Sequence, residues 1–107
     1  MDIGGATVTG QAVELATAVS SSFVADQASD GIVGLAFGKI NTVQPTRQKT
    51  FFENIMSDLK EPVFAAQLKK AEKGFYEFGQ VDTTAFKGEL HKVPVNDSAG
   101  FWQIESA

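Results

Sequence analysis

The sequence predicts an all-β, mainly antiparallel fold with one short helix near residues 47–59. Three observations point there. Nine phenylalanines accompany ten glycines in 107 residues, a composition of apolar strands broken by tight turns. Several segments alternate apolar and polar residues with a period of two. A single segment, around Phe51 to Leu59, shows helical periodicity instead.

The elements follow in order. Gly4-Gly5 is a favourable two-residue turn centre, so residues 3–16 read as a hairpin. Ala6 to Val8 begin its return strand, and Val13 and Leu15 alternate with Ala12 and Glu14. Gly10-Gln11 marks a bulge or a second bend. After Ser20-Ser21-Ser22, a short helical turn is expected around Phe23 to Gln27, then a polar loop from Asp26 to Asp30. Asp30 to Phe37 reads as a buried strand: Ile32 and Val33 favour extended backbone, and Gly31 and Gly34 permit sharp bends beside it.

Pro45-Thr46 announces the helix, with Thr46 as its N-cap. Phe51, Phe52, Ile55, Met56 and Leu59 share one face, which predicts a helix from about Arg47 to Leu59. Glu61-Pro62 ends it, because a residue before proline is pushed out of the α region. Residues 63–81 read as a second hairpin, with Phe64, Ala66 and Leu68 on one face. Gly79 within it predicts a bulge or a close backbone approach. A further strand is expected in 86–95, with Leu90 and Val93 inside. A turn follows at 96–100, and a last strand begins at Phe101.

Length fits one small domain, since domains run from about 50 to 250 residues. Nine basic and thirteen acidic residues leave a net charge of −4, against the basic stripe of a nucleic-acid surface. No apolar run approaches the ~20 residues of a membrane span. There is no cysteine and one histidine, which excludes disulfides, thiolate-metal sites and multi-histidine metal sites. The first residues, Met1 to Gly5, lack the basic and apolar regions of a signal peptide. The chain is therefore either cytosolic or does not start where its natural polypeptide starts.

Candidate chemistry is sparse. Asp82-Thr83-Thr84 resembles the Asp-Thr-Gly and Asp-Ser-Gly sequences of aspartic proteases, but the glycine is missing and no second copy exists. Paired-carboxylate chemistry needs two such groups sharing a proton about 3 Å apart, so Asp82 reads better as a turn residue accepting local hydrogen bonds. His91 with Ser20, Ser21 or Ser22 could form a base and nucleophile. No nucleophile elbow surrounds the serines, and a half-exposed strand histidine accounts for His91 as well. Tyr76 reads as a strand aromatic with a polar tip. Gly31 and Gly34 do not make a phosphate-binding loop. Asn96-Asp97-Ser98 fits the N-glycosylation sequon, which matters only in a secreted protein.

Longer blocks then carry a resemblance. Gln11 to Ala16 (QAVELA), Ser21 to Val24 (SSFV) and Asp30 to Phe37 (DGIVGLAF) come first. Ile40 to Thr46, Gln48 to Asn54, Glu61 to Ala65, Tyr76 to Asp82, Phe86 to Leu90 and Gly100 to Trp102 follow in the same order. Together they cover essentially the whole chain, which resembles pepsin-like aspartic proteases of the secreted fungal aspergillopepsin and endothiapepsin type. The resemblance implies part of the bilobal acid-protease fold. Residues 1–82 would be the later part of the N-terminal lobe. Residues 83–107 would be the inter-lobe sheet and the start of the C-terminal lobe.

It also implies an aspartic endopeptidase working at acid pH without metal or organic cofactor, and a secreted parent enzyme. Both catalytic aspartates and the flap tyrosine would lie outside this segment, so no catalytic residue is assigned within it and the segment alone is expected to be inert. Four substrate-binding positions carry over. Phe23 matches the aromatic of the non-primed specificity pocket, and Ile32 the large aliphatic facing it, where the fungal branch usually has leucine. Asp26 matches a polar residue of the outer non-primed subsites, and Phe101 an aromatic on the primed side. Phe86 and Lys87 depart from the usual Tyr and Thr, and His91-Lys92 makes the adjoining strand more basic.

The expected partners are a peptide or protein substrate in the complete enzyme and the flanking lobes of the protease, with no nucleic acid and no membrane. Open strand edges would also favour self-association. The alternative is a non-enzymatic binding module, an antigen or a truncated product derived from the same fold.

Overall fold

The structure is a computed structural model describing residues 1–107. Its strands pair antiparallel throughout, in two separate two-stranded sheets. Strands β1 (Asp2–Ile3) and β2 (Ala6–Thr7) form the first, and β3 (Phe64–Gln67) and β4 (Phe75–Phe78) the second. Helix α1 covers Ser21–Ala25 and α2 covers Phe51–Ile55, with 3-10 turns at Gly38–Ile40 and Met56–Asp58.

The first hairpin closes across Gly4 and Gly5, with φ of 58° and 87°. Two positive φ values in a row suit the right-handed twist of the flanking strands, and glycine reaches them without strain. Met1 and Val8 extend the ladder: the Val8 amide donates to the Met1 carbonyl at 2.8 Å, and the terminal amino group donates to the Val8 carbonyl at 2.7 Å. The return strand ends there. Residues 12–15 form no strand, and Val13 and Leu15 are 70% and 89% exposed. Alternation makes an amphipathic ribbon, but a strand also needs a neighbouring edge.

Helix α2 starts later than the sequence suggested. Thr50, not Thr46, is its N-cap. The Thr50 hydroxyl accepts from the Glu53 amide at 3.1 Å, and the Glu53 carboxylate accepts from the Thr50 amide at 3.0 Å. This reciprocal box is written in the sequence as Thr50-x-x-Glu53. Upstream, residues 41–49 are irregular, held by the Asn41 side chain, which accepts from the Val43 and Gln48 amides. Helix α1 lies two residues earlier than the turn expected at Phe23 to Gln27.

The second hairpin pairs Phe64 with Phe78 and Gln67 with Phe75. It is shorter than residues 63–81, and Leu68, expected on the inner face, is 75% exposed. Gly79 is the close approach that its position suggested. Its φ is 94°, and a Cβ there would lie 3.3 Å from the Leu59 side chain. Its amide donates to the Val63 carbonyl and its carbonyl accepts from the Glu61 amide, which ties the helix exit to the hairpin.

The core is Val8, Phe51, Phe52 and Ile55, packed by Ile3, Leu35, Leu59, Phe64 and Phe78. Phe51 meets Phe78 edge-on at 5.5 Å, and Phe52 meets Phe64 edge-on at 4.9 Å. One face of α2 thus packs on β3 and β4, while Val8, the residue after β2, closes the side.

Three expected strands are not formed. Asp30 to Phe37 is irregular, Ile32 is 78% exposed, and no backbone–backbone hydrogen bond involves residues 30–36. Residues 86–95 contain no strand, and Leu90 and Val93 are both exposed. His91 is exposed and lies on no strand. The segment from Phe101 is reduced to one antiparallel bridge, Asn96 to Gln103. The common cause is the lack of a neighbouring edge within this chain.

The exposed area is 9014 Å², whereas a folded monomer of this mass exposes about 5,800 Å². The radius of gyration is 16.0 Å, against about 13 Å for a compact domain of this length. There are 25 backbone–backbone hydrogen bonds, where about 70 would be usual. These three numbers agree: much of the chain's apolar and backbone surface has no partner within the chain.

Candidate functional site

The site is built from the apolar arm at 14–32. Leu15, Val19, Phe23, Ser29, Asp30 and Ile32 line a groove of about 610 Å³. Phe23 stands on α1 and is 53% exposed. Ile32 enters from the segment after the 26–30 loop. Two of the four expected substrate-binding residues therefore meet in one apolar groove, although they are nine positions apart and no regular element joins them.

Asp26 does not line the groove but shapes it. It follows α1 directly, and its amide donates to the Ser22 carbonyl. Its carboxylate accepts from the Ser29 hydroxyl and from the Ala28 amide. That turn folds the chain back, so that Ser29 and Asp30 reach the groove wall. The Ser29 hydroxyl, and after it the Ala28 amide, hold the Asp26 carboxyl below its ordinary range. Phe101 lies apart, 56% exposed on the 96–103 hairpin, and does not join Phe23 and Ile32.

Trp102, beside Phe101, has a role the sequence did not disclose. Its indole N–H donates to the Leu35 carbonyl at 2.7 Å. Its ring packs tilted against Phe37 at 4.5 Å and meets Phe64 edge-on at 5.6 Å. The Phe37 amide donates to the Gly100 carbonyl at 3.1 Å. Asp30 to Phe37 thus anchors the last hairpin at one end and offers Ile32 to the groove at the other. Leu15 and Val19 were also missed as groove walls; the apolar alternation at Val13 and Leu15 was their only signal.

Asp82 is a turn residue, as expected. Its carboxylate accepts from the Thr84 hydroxyl at 2.6 Å and from the Thr84 amide at 2.9 Å. Those two bonds, the hydroxyl first, lower its pKa from 3.8. A group whose folded pKa is depressed contributes stability that is present above the unfolded value and is lost as pH falls through the folded one. Asp82 is therefore expected to stay ionised into mildly acid solution. NMR titration should place its midpoint below the ordinary carboxylate value, and Thr84→Val should move it upward. A midpoint at or above the ordinary value in the unmodified chain would contradict this.

No group of three or more His, Cys, Asp or Glu side chains is placed to hold a metal ion. No helix is long and apolar enough to cross a membrane. The arrangement can cover an apolar side chain, with the carboxylates of Glu14 and Asp30 among its lining residues.

Comparison with known proteins agrees in kind. The family model described as eukaryotic aspartyl protease matches residues 1–107. "Aspartic protease PEP3" of Coccidioides posadasii is 59% identical over 106 residues, 99% of this chain and 24% of that protein. A "putative aspergillopepsin A-like aspartic endopeptidase" of Arthroderma otae is 59% identical over 107 residues, 100% of this chain and 25% of that protein. Endothiapepsin of Cryphonectria parasitica is 52% identical over 106 residues, 99% of this chain and 25% of that protein. The chain spans about a quarter of the length of the curated relatives it matches. On a match that runs from its first residue to its last, the chain belongs to the eukaryotic aspartyl protease family.

Proposed function

We propose that this chain is the central part of a secreted fungal aspartic endopeptidase that hydrolyses peptide bonds at acid pH. The observation that carries the reading is the groove in which Phe23 and Ile32 meet. An apolar wall of this kind suits a bulky hydrophobic side chain beside the scissile bond, because burying it supplies binding energy. Asp26 shapes the outer end of the groove, and Phe101 contributes to the primed side. Residues 1–82 belong to the N-terminal lobe and 83–107 to the inter-lobe sheet and the start of the C-terminal lobe.

Catalysis comes from two aspartates carried elsewhere in the complete enzyme, which activate a water for attack on the peptide carbonyl. This chain holds no Asp-Thr-Gly or Asp-Ser-Gly sequence. The purified chain should therefore cleave no peptide at acid pH. Turnover sensitive to a statine-type inhibitor would overturn that statement.

The large exposed area favours a second property of the isolated chain. Surface that the flanking lobes would cover is left to find other partners, including a second copy. Light scattering at rising concentration should show mass growing beyond the monomer. A stable monomer throughout would count against both the open edges and the incomplete-lobe reading.

A further inference from the structure

We infer that Asn96 is an acceptor for an N-linked oligosaccharide. The sequon Asn96-Asp97-Ser98 is the starting point, but geometry decides whether such a tripeptide can be reached. Residues 96 to 99 are all exposed. They open a tight turn, with the Gly100 amide donating to the Asp97 carbonyl at 2.9 Å. The Asn96 side-chain oxygen accepts from the Ser98 amide at 3.1 Å. That bond fixes the side chain through its oxygen and leaves the amide nitrogen, the atom to be glycosylated, without a partner.

Orientation comes from the bridge. Asn96 pairs with Gln103, and the Asn96 amide donates to the Gln103 carbonyl at 2.8 Å. Paired residues share a face of a β-ribbon, and consecutive residues point to opposite faces. Trp102 points to the docked face, against Phe37 and Phe64. Gln103 and its partner Asn96 therefore point to the other face, away from that contact. A glycan there would stand clear of the aromatic anchor, and Asn96 is not among the residues that line the groove at Phe23 and Ile32. The one charged contact of the turn, Lys39 to Asp97 at 3.9 Å, is exposed and does not occupy the amide.

The chemistry is a glycosyl transfer from a polyisoprenyl diphosphate-linked oligosaccharide. A bond forms between Asn96 Nδ2 and the sugar's anomeric carbon as that carbon's bond to the diphosphate oxygen breaks. The amide gives up one proton to a base of the transferase, and the polyisoprenyl diphosphate leaves.

The inference rests on the export reading above, so the test separates the two. The protein of the whole reading frame is produced in a yeast host, once with its own leader and once behind a grafted export signal. The peptide bearing Asn96 is then mapped by mass spectrometry before and after enzymatic deglycosylation. The expected result is a hexose- and N-acetylhexosamine-bearing peptide that loses this mass on deglycosylation. Asn96→Gln and Ser98→Ala should abolish it, and Ser98→Thr should retain it. Ser98→Ala keeps the backbone amide that holds Asn96, so its loss of glycan reports the hydroxyl and not a broken turn. Glycan at Asn96 only behind the grafted signal supports the site and overturns native export. An exported protein with unmodified Asn96 overturns the site.

Discussion

Phe23→Ala in the complete protease should lower kcat/KM by roughly 70-fold for peptides with a bulky hydrophobic residue beside the scissile bond. The size follows from area. A phenylalanine offers about 200 Å², and Phe23 is 53% exposed in the groove, so about half of its surface remains for substrate to cover. At about 25 cal/mol per Å² that is worth about 2.5 kcal/mol, and each 1.36 kcal/mol is about tenfold in rate. Ile32→Ala should act in the same direction by a smaller factor, since its side chain is smaller. Both effects should shrink for peptides with a small residue at that position, because little apolar area is then buried. The check is the kcat/KM ratio for bulky over small substrates. An equal loss on both would place Phe23 outside the pocket and leave it a scaffold residue.

Phe51→Ala should cost about 3–5 kcal/mol of folding stability. Phe51 is 2% exposed and belongs to a core of only four buried apolar residues. Its ring holds α2 against β4 through Phe78. Small domains are stable by about 5–15 kcal/mol in all, so in the isolated chain this single change should remove most cooperative unfolding. Leu15→Ala is the contrast. Leu15 is 89% exposed, and its truncation should change the isolated chain's stability by about 0.5 kcal/mol or less. Denaturant titration of the three forms checks both statements. A Phe51→Ala midpoint close to that of the unmodified chain would mean that the aromatic cluster is not the core.

The two hairpins were readable because their contacts are local. Gly4-Gly5 carries the first turn in its own chemistry, and Phe64 to Phe78 closes over a short polar loop. The helix was readable in its apolar face but not in its start. Pro45-Thr46 gave a start signal upstream, while Thr50 and Glu53 made the actual cap. Asp30 to Phe37 and residues 86–95 have strand composition without strand structure. Strand propensity measures fit to a half-buried pleated surface, and no such surface is offered by this chain.

The site divides along the same line. Phe23 and Ile32 came from the resemblance to a family, and no periodicity would have paired them. Asp26 was legible as a position, but its work through Ser29 was not. Trp102 was invisible as an anchor because its partner, Leu35, lies 67 positions away. Phe101 was assigned to the primed side, apart from the pocket of Phe23 and Ile32, and it does not line their groove.

The most direct test of the central claim is a side-by-side assay of two proteins, the 107-residue chain and the product of the whole reading frame. Both are given peptides with bulky hydrophobic residues at acid pH, with and without a statine-type inhibitor. Inhibitor-sensitive cleavage by the whole product, with none by the chain, is the expected result. Inhibitor-sensitive cleavage by the chain alone, or no acid cleavage by the whole product, would contradict it.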